Sequence, residues 1–509
     1  MDSIKELSTT IIQWSAVTLV FVIGLVILYI AILYVIDKTQ TKQTIRRNYP
    51  VVGRFRYLFE HLGEFFRQYF FAMDREELPF NRAERSWAYR AAKKVDTTLA
   101  FGSTRPLDTE GEPIFINCPF PTLDQDALEP QAVTIGSDSS RQPYTTKALV
   151  NISGMSYGAI SKPAILALSN GAKKAGIWMN TGEGGLSPYH LEGGCDIVYQ
   201  IGTAKYGVRD NEGNLSNEKL KQVANHKQVK MFEIKMSQGA KPGKGGILPG
   251  AKVTEEIAKI RGINVGQDSI SPNGHIDIKS VDDLLDMIHR VRNITGKPVG
   301  FKMVVGDLSF FETLFKKVHQ RGITHAPDFI TLDSADGGTG AAPQPLMDYV
   351  GMSIKESLPI VADIITRYGL RERIKIVASG KLMTPGKVAW ALSAGADFVT
   401  SARGFMFALG CIQALQCNKN TCPTGITTHN KNLQRGLVPQ DKATRVTNYA
   451  NKISYGVGLI AHSCGVKQSR GLSRSHMRII EHSGRSKIFS EIYPTPEIKS
   501  EYISAKNIG

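Results

Sequence analysis

The stretch DFITLDSADGGTG, residues 328–340, decides the fold. Asp328–Asp333 is a short, mostly apolar run of the kind that forms a strand covered on both faces. A glycine-rich turn, Ser334-Ala335-Asp336-Gly337-Gly338-Thr339-Gly340, follows at once. Next come the helical pattern Met352–Tyr368 and another strand-like run, Lys375–Ser379, ending in Gly380-Lys381. A strand that stops in a polar, glycine-rich loop before a helix is the repeating unit of parallel α/β folds.

Working outward, the same rhythm recurs. It predicts strands at Leu149–Ser153, Ile177–Asn180, Asp196–Gly202, Lys230–Lys235, Val299–Met303, Asp328–Asp333, Lys375–Ser379 and Asp397–Ser401. Helices are expected at Ser161–Ala175, Val281–Thr295, Phe311–Arg321, Met352–Tyr368 and Pro385–Ala394. Eight strands over about 250 residues match an α/β protein of the (β/α)8 TIM-barrel class. A doubly wound sheet is the alternative, but no strand–GxGxxG–helix fingerprint is present. The barrel is expected over 149–430, after a lead-in at 37–148 with turn signals and before a helical C-terminal extension at 431–509.

Composition narrows the class. Of 509 residues, 42% are hydrophobic and 21% charged, which excludes disorder for most of the chain. The 48 glycines cluster in short runs without a fixed period, which excludes collagen and points to tight loops around a ligand. A formal charge of +16 raises nucleic acid as a partner, yet there is no zinc-finger spacing and no Lys/Arg run interleaved with aromatics. The expectation is no nucleic acid; the charge suits a membrane surface and acidic substrates. Six cysteines are too few for a disulfide scaffold.

From Ile11 to Ile36 no Asp, Glu, Lys, Arg or His occurs. Such a run is long enough for a transmembrane helix and too long for the apolar core of a cleaved signal. Lys38, Lys42, Arg46, Arg47, Arg54 and Arg56 follow it, so the positive-inside rule predicts a single pass, N-terminus outside and body cytoplasmic. Phe55, Phe59, Leu62 and Phe66 share one helical face, which would lie in the membrane interface or pack on the globular body.

In such barrels the reactive site lies at the C-terminal ends of the strands. Here those ends read Gly154-Met155-Ser156, Asn180-Thr181-Gly182-Glu183-Gly184, Gln200, Lys235-Met236-Ser237-Gln238-Gly239-Ala240-Lys241, Gly338-Thr339-Gly340, Gly380 and Ala402-Arg403. Glycines after the last two strands suit a phosphate, held by backbone N–H groups, with Arg403 adding charge. Five such loops in register point to a phosphate-bearing ligand. Lys302, inside an apolar strand, is either a cation matched to a ligand or a snorkelling edge lysine. Cys411, Cys417 and Cys422 are close enough in sequence for an iron–sulfur cluster, zinc, or plain core thiols.

These loops together resemble the FMN-binding domain of glutamate synthase. The matching motifs are SGMSYGAIS (153–161), NTGEGG (180–185), QIGTAKYGV (200–208), EIKMSQGAKPGKGG (233–246), DSADGGTGAAP (333–343), ASGK (378–381) and the cysteine spacing. Residues 47–94, with Asn48-Tyr49-Pro50 and Pro79-Phe80-Asn81-Arg82, further resemble short, membrane-anchored members of that family. The resemblance implies FMN and a 3Fe–4S cluster, with Cys411, Cys417 and Cys422 as metal ligands. Gly154, Met155, Ser156, Gln200, Lys302, Gly338, Gly340, Gly380, Ala402 and Arg403 would bind the cofactor. Asn180, Gly182, Gly184, Lys235, Gln238 and Lys241 would bind substrate, with Lys302, Glu183 and Lys235 as catalytic residues.

The activity implied is reductive amination of 2-oxoglutarate to glutamate. Ammonia would come free or from glutamine through a separate glutaminase subunit. Electrons would pass from a ferredoxin-like or diaphorase donor through the cluster to FMN. The alternatives are amine transfer of the methylamine type, or a membrane-bound electron-transfer subunit without amination. The glutaminase and β-helix domains of the large enzymes are not expected in 509 residues.

Overall fold

The computed structural model describes residues 2–503. The chain divides after Ala83 into two compact units.

The first unit is helical. Its helix Asp2–Thr39 contains the expected apolar run. Ser3–Thr39 is long and apolar enough to cross a membrane by length and composition. Two shorter helices, Thr44–Asn48 and Gly53–Phe66, and a π-turn, Arg67–Phe71, follow.

The second unit is built on a closed parallel barrel. Its strands are β1 (Val150–Ile152), β2 (Met179–Asn180), β3 (Ile197–Ile201), β4 (Val229–Lys235), β5 (Val299–Val304), β6 (Phe329–Asp333), β7 (Lys375–Ser379) and β8 (Phe398–Ser401). All eight lie where the apolar runs predict them. β8 closes the barrel on β1, with Val399 opposite Val150. The expected helices are present as Lys162–Ala175, Val281–Thr295, Ser309–Arg321, Ile354–Arg367 and Pro385–Ala394. Ser161 caps the first of them by accepting from Ala164 N, and Gly176 ends it in the left-handed region that glycine adopts without strain.

The lead-in contributes two small pieces of sheet. The antiparallel pair Val133–Ile135 and Tyr144–Thr146 puts Ile135 and Tyr144 into an apolar cluster with Trp178, Val198, Met231, Phe329, Val377 and Phe398. These barrel residues sit at or near the starts of their strands, so the cluster closes the N-terminal mouth and leaves the opposite end for chemistry. Pro113–Phe115 pairs with Met477–Ile480, which pairs with Ser486–Ile488. The C-terminal extension therefore carries two strands in addition to the expected helix. That helix, Pro439–Ser463, lies so close to Lys162–Ala175 that a Cβ on Gly171 would stand 2.5 Å from Val446 Cβ.

Candidate active site

The C-terminal strand ends surround an open cleft. Gly154, Met155, Ser156, Gly182, Glu183, Gln200, Lys235, Gln238, Lys241, Gly338, Gly340, Ala402 and Arg403 all line it, together with Cys417. Thirteen residues expected at a cofactor or substrate site, from the C-terminal ends of six strands and the loops after them, thus line one cleft. The folding reason is the common direction of the strands, which delivers every βα loop to the same end.

One side of the cleft is a charge cluster. Lys235 Nζ lies 3.0 Å from Glu183 Oε1 and donates to Gln238 Oε1. Burial pushes the Glu183 carboxyl up, but Lys235 and Lys241 outweigh it and hold the group below its ordinary value. Burial lowers the Lys241 ammonium to about 8, helped by Lys235 and opposed by Glu183. Arg261 supplies a third cation: its Nη2 donates to Ser156 Oγ and the Tyr157 carbonyl, both at 3.3 Å. Its Nε is buried without a protein partner on the cleft wall. Gly184 leaves room for this guanidinium, since a Cβ there would stand 2.9 Å from Arg261 Nη2.

The floor is polar and sits inside the barrel. Asn180 Nδ2 and Gln200 Nε2 both donate to Glu233 Oε1, at 2.8 and 2.7 Å. Thr331 Oγ1 donates to Glu233 Oε2 at 2.6 Å. Asn180 Oδ1 accepts from Gly182 N at 2.9 Å, tying the floor to the next loop. Lys302 Nζ lies 3.2 Å from Asp333 Oδ2, which also accepts from Gly239 N at 2.8 Å. Lys302 and Asn180 line a smaller cavity beneath the cleft rather than the cleft itself. The snorkelling reading of Lys302 fails, because only 7% of the residue is exposed.

The expected glycines have different reasons. A Cβ on Gly154 would come within 3.1 Å of both Asn180 Oδ1 and Gln200 Nε2. Gly182 has φ +65°, and a Cβ there would stand 2.6 Å from Ser156 N. At Gly338 a Cβ would meet Arg403 Nε at 2.9 Å, whereas Gly340 faces open space. Gly380, at φ +122°, does not line the cleft; a side chain there would overlap Ser334 Cβ, so its need is packing between the ends of β6 and β7.

The three cysteines follow the helix Arg403–Leu409. Arg403 donates from Nη1 toward Cys417 Sγ at 3.7 Å and from Nη2 to the Thr339 carbonyl at 2.5 Å. Burial pushes the Cys411 thiol up, opposed by the charge of Arg403. Among the described residues, no three His, Cys, Asp or Glu side chains converge as ligands of one metal ion. Arg403 Nη1 beside Cys417 Sγ and Lys252 Nζ on the Cys417 carbonyl place two cations against the cysteine loop.

Sequence reasoning missed Glu233, Asp333, Lys252 and Arg261. Glu233 was legible, because it shares a face of β4 with Lys235, two residues on. Lys252 gave no local signal; its Nζ donates to the carbonyls of Ala159 at 2.7 Å and Cys417 at 3.3 Å, bridging the β1 loop and the cysteine loop.

The model of the conserved region in glutamate synthase matches residues 119–467. The glutamate synthase large subunit-like protein YerD of Bacillus subtilis (strain 168) is 41% identical over 498 residues, 90% of this chain and 94% of that protein. The archaeal glutamate synthase (NADPH) of Methanocaldococcus jannaschii is 35% identical over 338 residues, 65% of this chain and 61% of that enzyme. The archaeal-type enzyme of Thermotoga sp. (strain RQ2) is 33% identical over 326 residues, 64% of this chain and 60% of that enzyme. This chain thus spans less than two thirds of those two enzymes. A flavocytochrome b2 variant solved with benzoylformate aligns at TM-score 0.47 and 14% identity, over 82% of this chain and 85% of that one, and nothing further rests on it. On the family match and the 41% identity across nearly the whole chain, this protein belongs to the glutamate synthase family of oxidoreductases.

Proposed function

We propose that the cleft holds FMN and reductively aminates 2-oxoglutarate to glutamate. The observation that carries this reading is the charge cluster. On one side of the cleft three cations, Lys235, Lys241 and Arg261, stand against one carboxylate, Glu183, and Lys252 and Arg403 also line the cleft. A surplus of positive charge suits an acidic substrate such as a dicarboxylate, and a buried surplus is costly unless a ligand neutralises it.

The residues present fit FMN. The side-chain-free surfaces of Gly154, Gly338 and Gly340, the carbonyl oxygen of Gln200, and Arg403 face the space that a ring and a phosphate would fill. Gln200 Nε2 is committed to Glu233, so its Oε1 is left as an acceptor toward the cleft. Bound FMN would supply hydride chemistry to the imine formed from ammonia and the keto acid. Lys235, Lys241 and Arg261 would bind and orient the two carboxylates. Glu183 would hold Lys235 in place, accept protons near the reacting carbon and prefer a cationic iminium to a neutral ketone. Lys302, paired with Asp333 under the floor, would place positive charge beneath the cofactor.

Cys411, Cys417 and Cys422 would hold a 3Fe–4S cluster, which would supply one-electron chemistry with an outside donor, and Cys417 lines the cleft. That donor would be ferredoxin-like or a diaphorase. Ammonia would come free or from a separate glutaminase. The helix Asp2–Thr39 would anchor the chain in a membrane, with the barrel on the cytoplasmic side.

The test is direct. Purified protein should show flavin absorbance and, with a chemically reduced donor, ammonia and 2-oxoglutarate, form glutamate. Flavin without glutamate would overturn the amination; no flavin would overturn the whole reading.

A further inference from the structure

We propose that the segment Gly53–Phe71 is a lipid-binding elbow that lies in the headgroup region of an anionic membrane leaflet. The proposal rests on the reading that residues 11–36 cross the membrane.

The elbow is built, not slack. Asp37, at the end of the long helix, is fully buried. Its carboxylate accepts from Arg46 Nε at 2.8 Å, from Arg54 Nε at 2.8 Å and Nη2 at 2.7 Å, and from the backbone N–H of Val51 at 3.0 Å. One carboxylate therefore fastens both following helices to the end of the membrane helix. The turn between them is tight. Val51 sits at φ 65°, and a Cβ on Gly53 would stand 2.8 Å from the Ile45 carbonyl oxygen. A bidentate Arg–carboxylate pair fixes direction as well as distance. The next helix thus leaves the membrane helix at a defined angle.

That helix then exposes what a soluble surface would bury. Phe55, Phe59, Phe70 and Phe71 are 55%, 65%, 74% and 77% exposed. Phe55, Phe59, Leu62 and Phe66 recur at helical spacing on one face, and Arg56, Glu60 and Arg67 fall together on another. Lys38, Lys42, Arg47 and Arg56 are exposed at the same end of the membrane helix. Aromatic side chains at the water–hydrocarbon boundary, with basic residues beside them, are the chemistry that binds anionic phospholipid headgroups. The continuity of this patch with the apolar helix argues for lipid over a protein partner.

The full chain in nanodiscs of phosphatidylcholine and phosphatidylglycerol, doped with a phospholipid carrying a photoactivatable group near its headgroup, tests this. Lipid adducts are mapped by mass spectrometry. Adducts on both 11–36 and 55–71 support the elbow. Adducts on 11–36 with 55–71 bare overturn it and leave the anchor standing. No adducts on either overturn the anchor, and the elbow with it. Phe59→Ser with Phe70→Ser, which leaves the Asp37 clamp intact, should cut adducts on 55–71 about fivefold and spare 11–36. Asp37→Asn should do the same by releasing the clamp; unchanged labelling in both variants overturns the proposal.

Discussion

Lys235 Nζ and Glu183 Oε1 lie 3.0 Å apart although one ends β4 and the other belongs to the loop after β2. The barrel brings them together, and Lys235 helps to hold the Glu183 carboxyl below its ordinary value. Replacing Lys235 by Met leaves the buried Glu183 without its nearest cation. The Km for 2-oxoglutarate should rise about a hundredfold, the cost of a lost charged contact. Steady-state kinetics with varied 2-oxoglutarate check this; an unchanged Km removes Lys235 from the substrate site.

Lys241 makes the same site sensitive to alkali. Its ammonium, lowered to about 8 by burial, is present below that pH and lost above it. Binding of 2-oxoglutarate should weaken as pH rises through 8, and above pH 8 binding should take up a proton. The linkage to stability has the opposite sign. Between about 8 and its ordinary value of 10.5 the unfolded chain holds the proton and the folded chain does not, so this group's contribution to stability rises with pH there. Km–pH profiles of the native protein and Lys241→Met separate the binding effect.

Glu233 should matter for the cofactor without touching substrate. As a carboxylate it accepts from Asn180, Gln200 and Thr331. Glu233→Leu removes the acceptor that both amides share, so Gln200 loses its fixed orientation. FMN affinity should fall about tenfold, the size of one lost hydrogen bond to a charged group. Quenching of flavin fluorescence on binding measures it, and unaltered affinity would detach the floor network from the cofactor.

Cys417 is the thiol that reaches the cleft. Cys417→Ser should abolish the iron–sulfur signal in the EPR spectrum of the oxidised protein while flavin remains bound. A spectrum identical to that of the native protein would sink the ligand assignment.

Two glycines give a control on stability. Gly380→Ala places a methyl group into Ser334 at a positive φ and should cost about 2 kcal/mol or more. Gly340→Ala meets no atom within 4 Å and should leave the melting temperature unchanged. Calorimetry of the two variants distinguishes packing from cofactor clearance.

Much of this was legible along the chain. The eight strands appear as short apolar runs because parallel barrel strands are covered on both faces, so their pattern survives in one dimension. The glycine-rich loops mark the reactive end because each strand must stop there. The long apolar helix is equally plain in the sequence. The two strands of the C-terminal extension were not, because they are only three and four residues long and one of the partners of Met477–Ile480, Pro113–Phe115, comes from more than 350 residues away. Arg261 was missed for a similar reason, since nothing near it in sequence shows that its guanidinium reaches Ser156.

By itself, the sequence determined the barrel, the long apolar helix and the family, because these depend on local periodicity and on motifs read in order. Only the tertiary structure decided which groups share a space. It joined Glu183 to Lys235, gathered a surplus of positive charge in one cleft, placed Glu233 beneath Gln200, and folded two arginines around Asp37. The physical reason is that charge pairing and burial depend on distance through space, and side chains far apart in the chain meet only when the barrel closes.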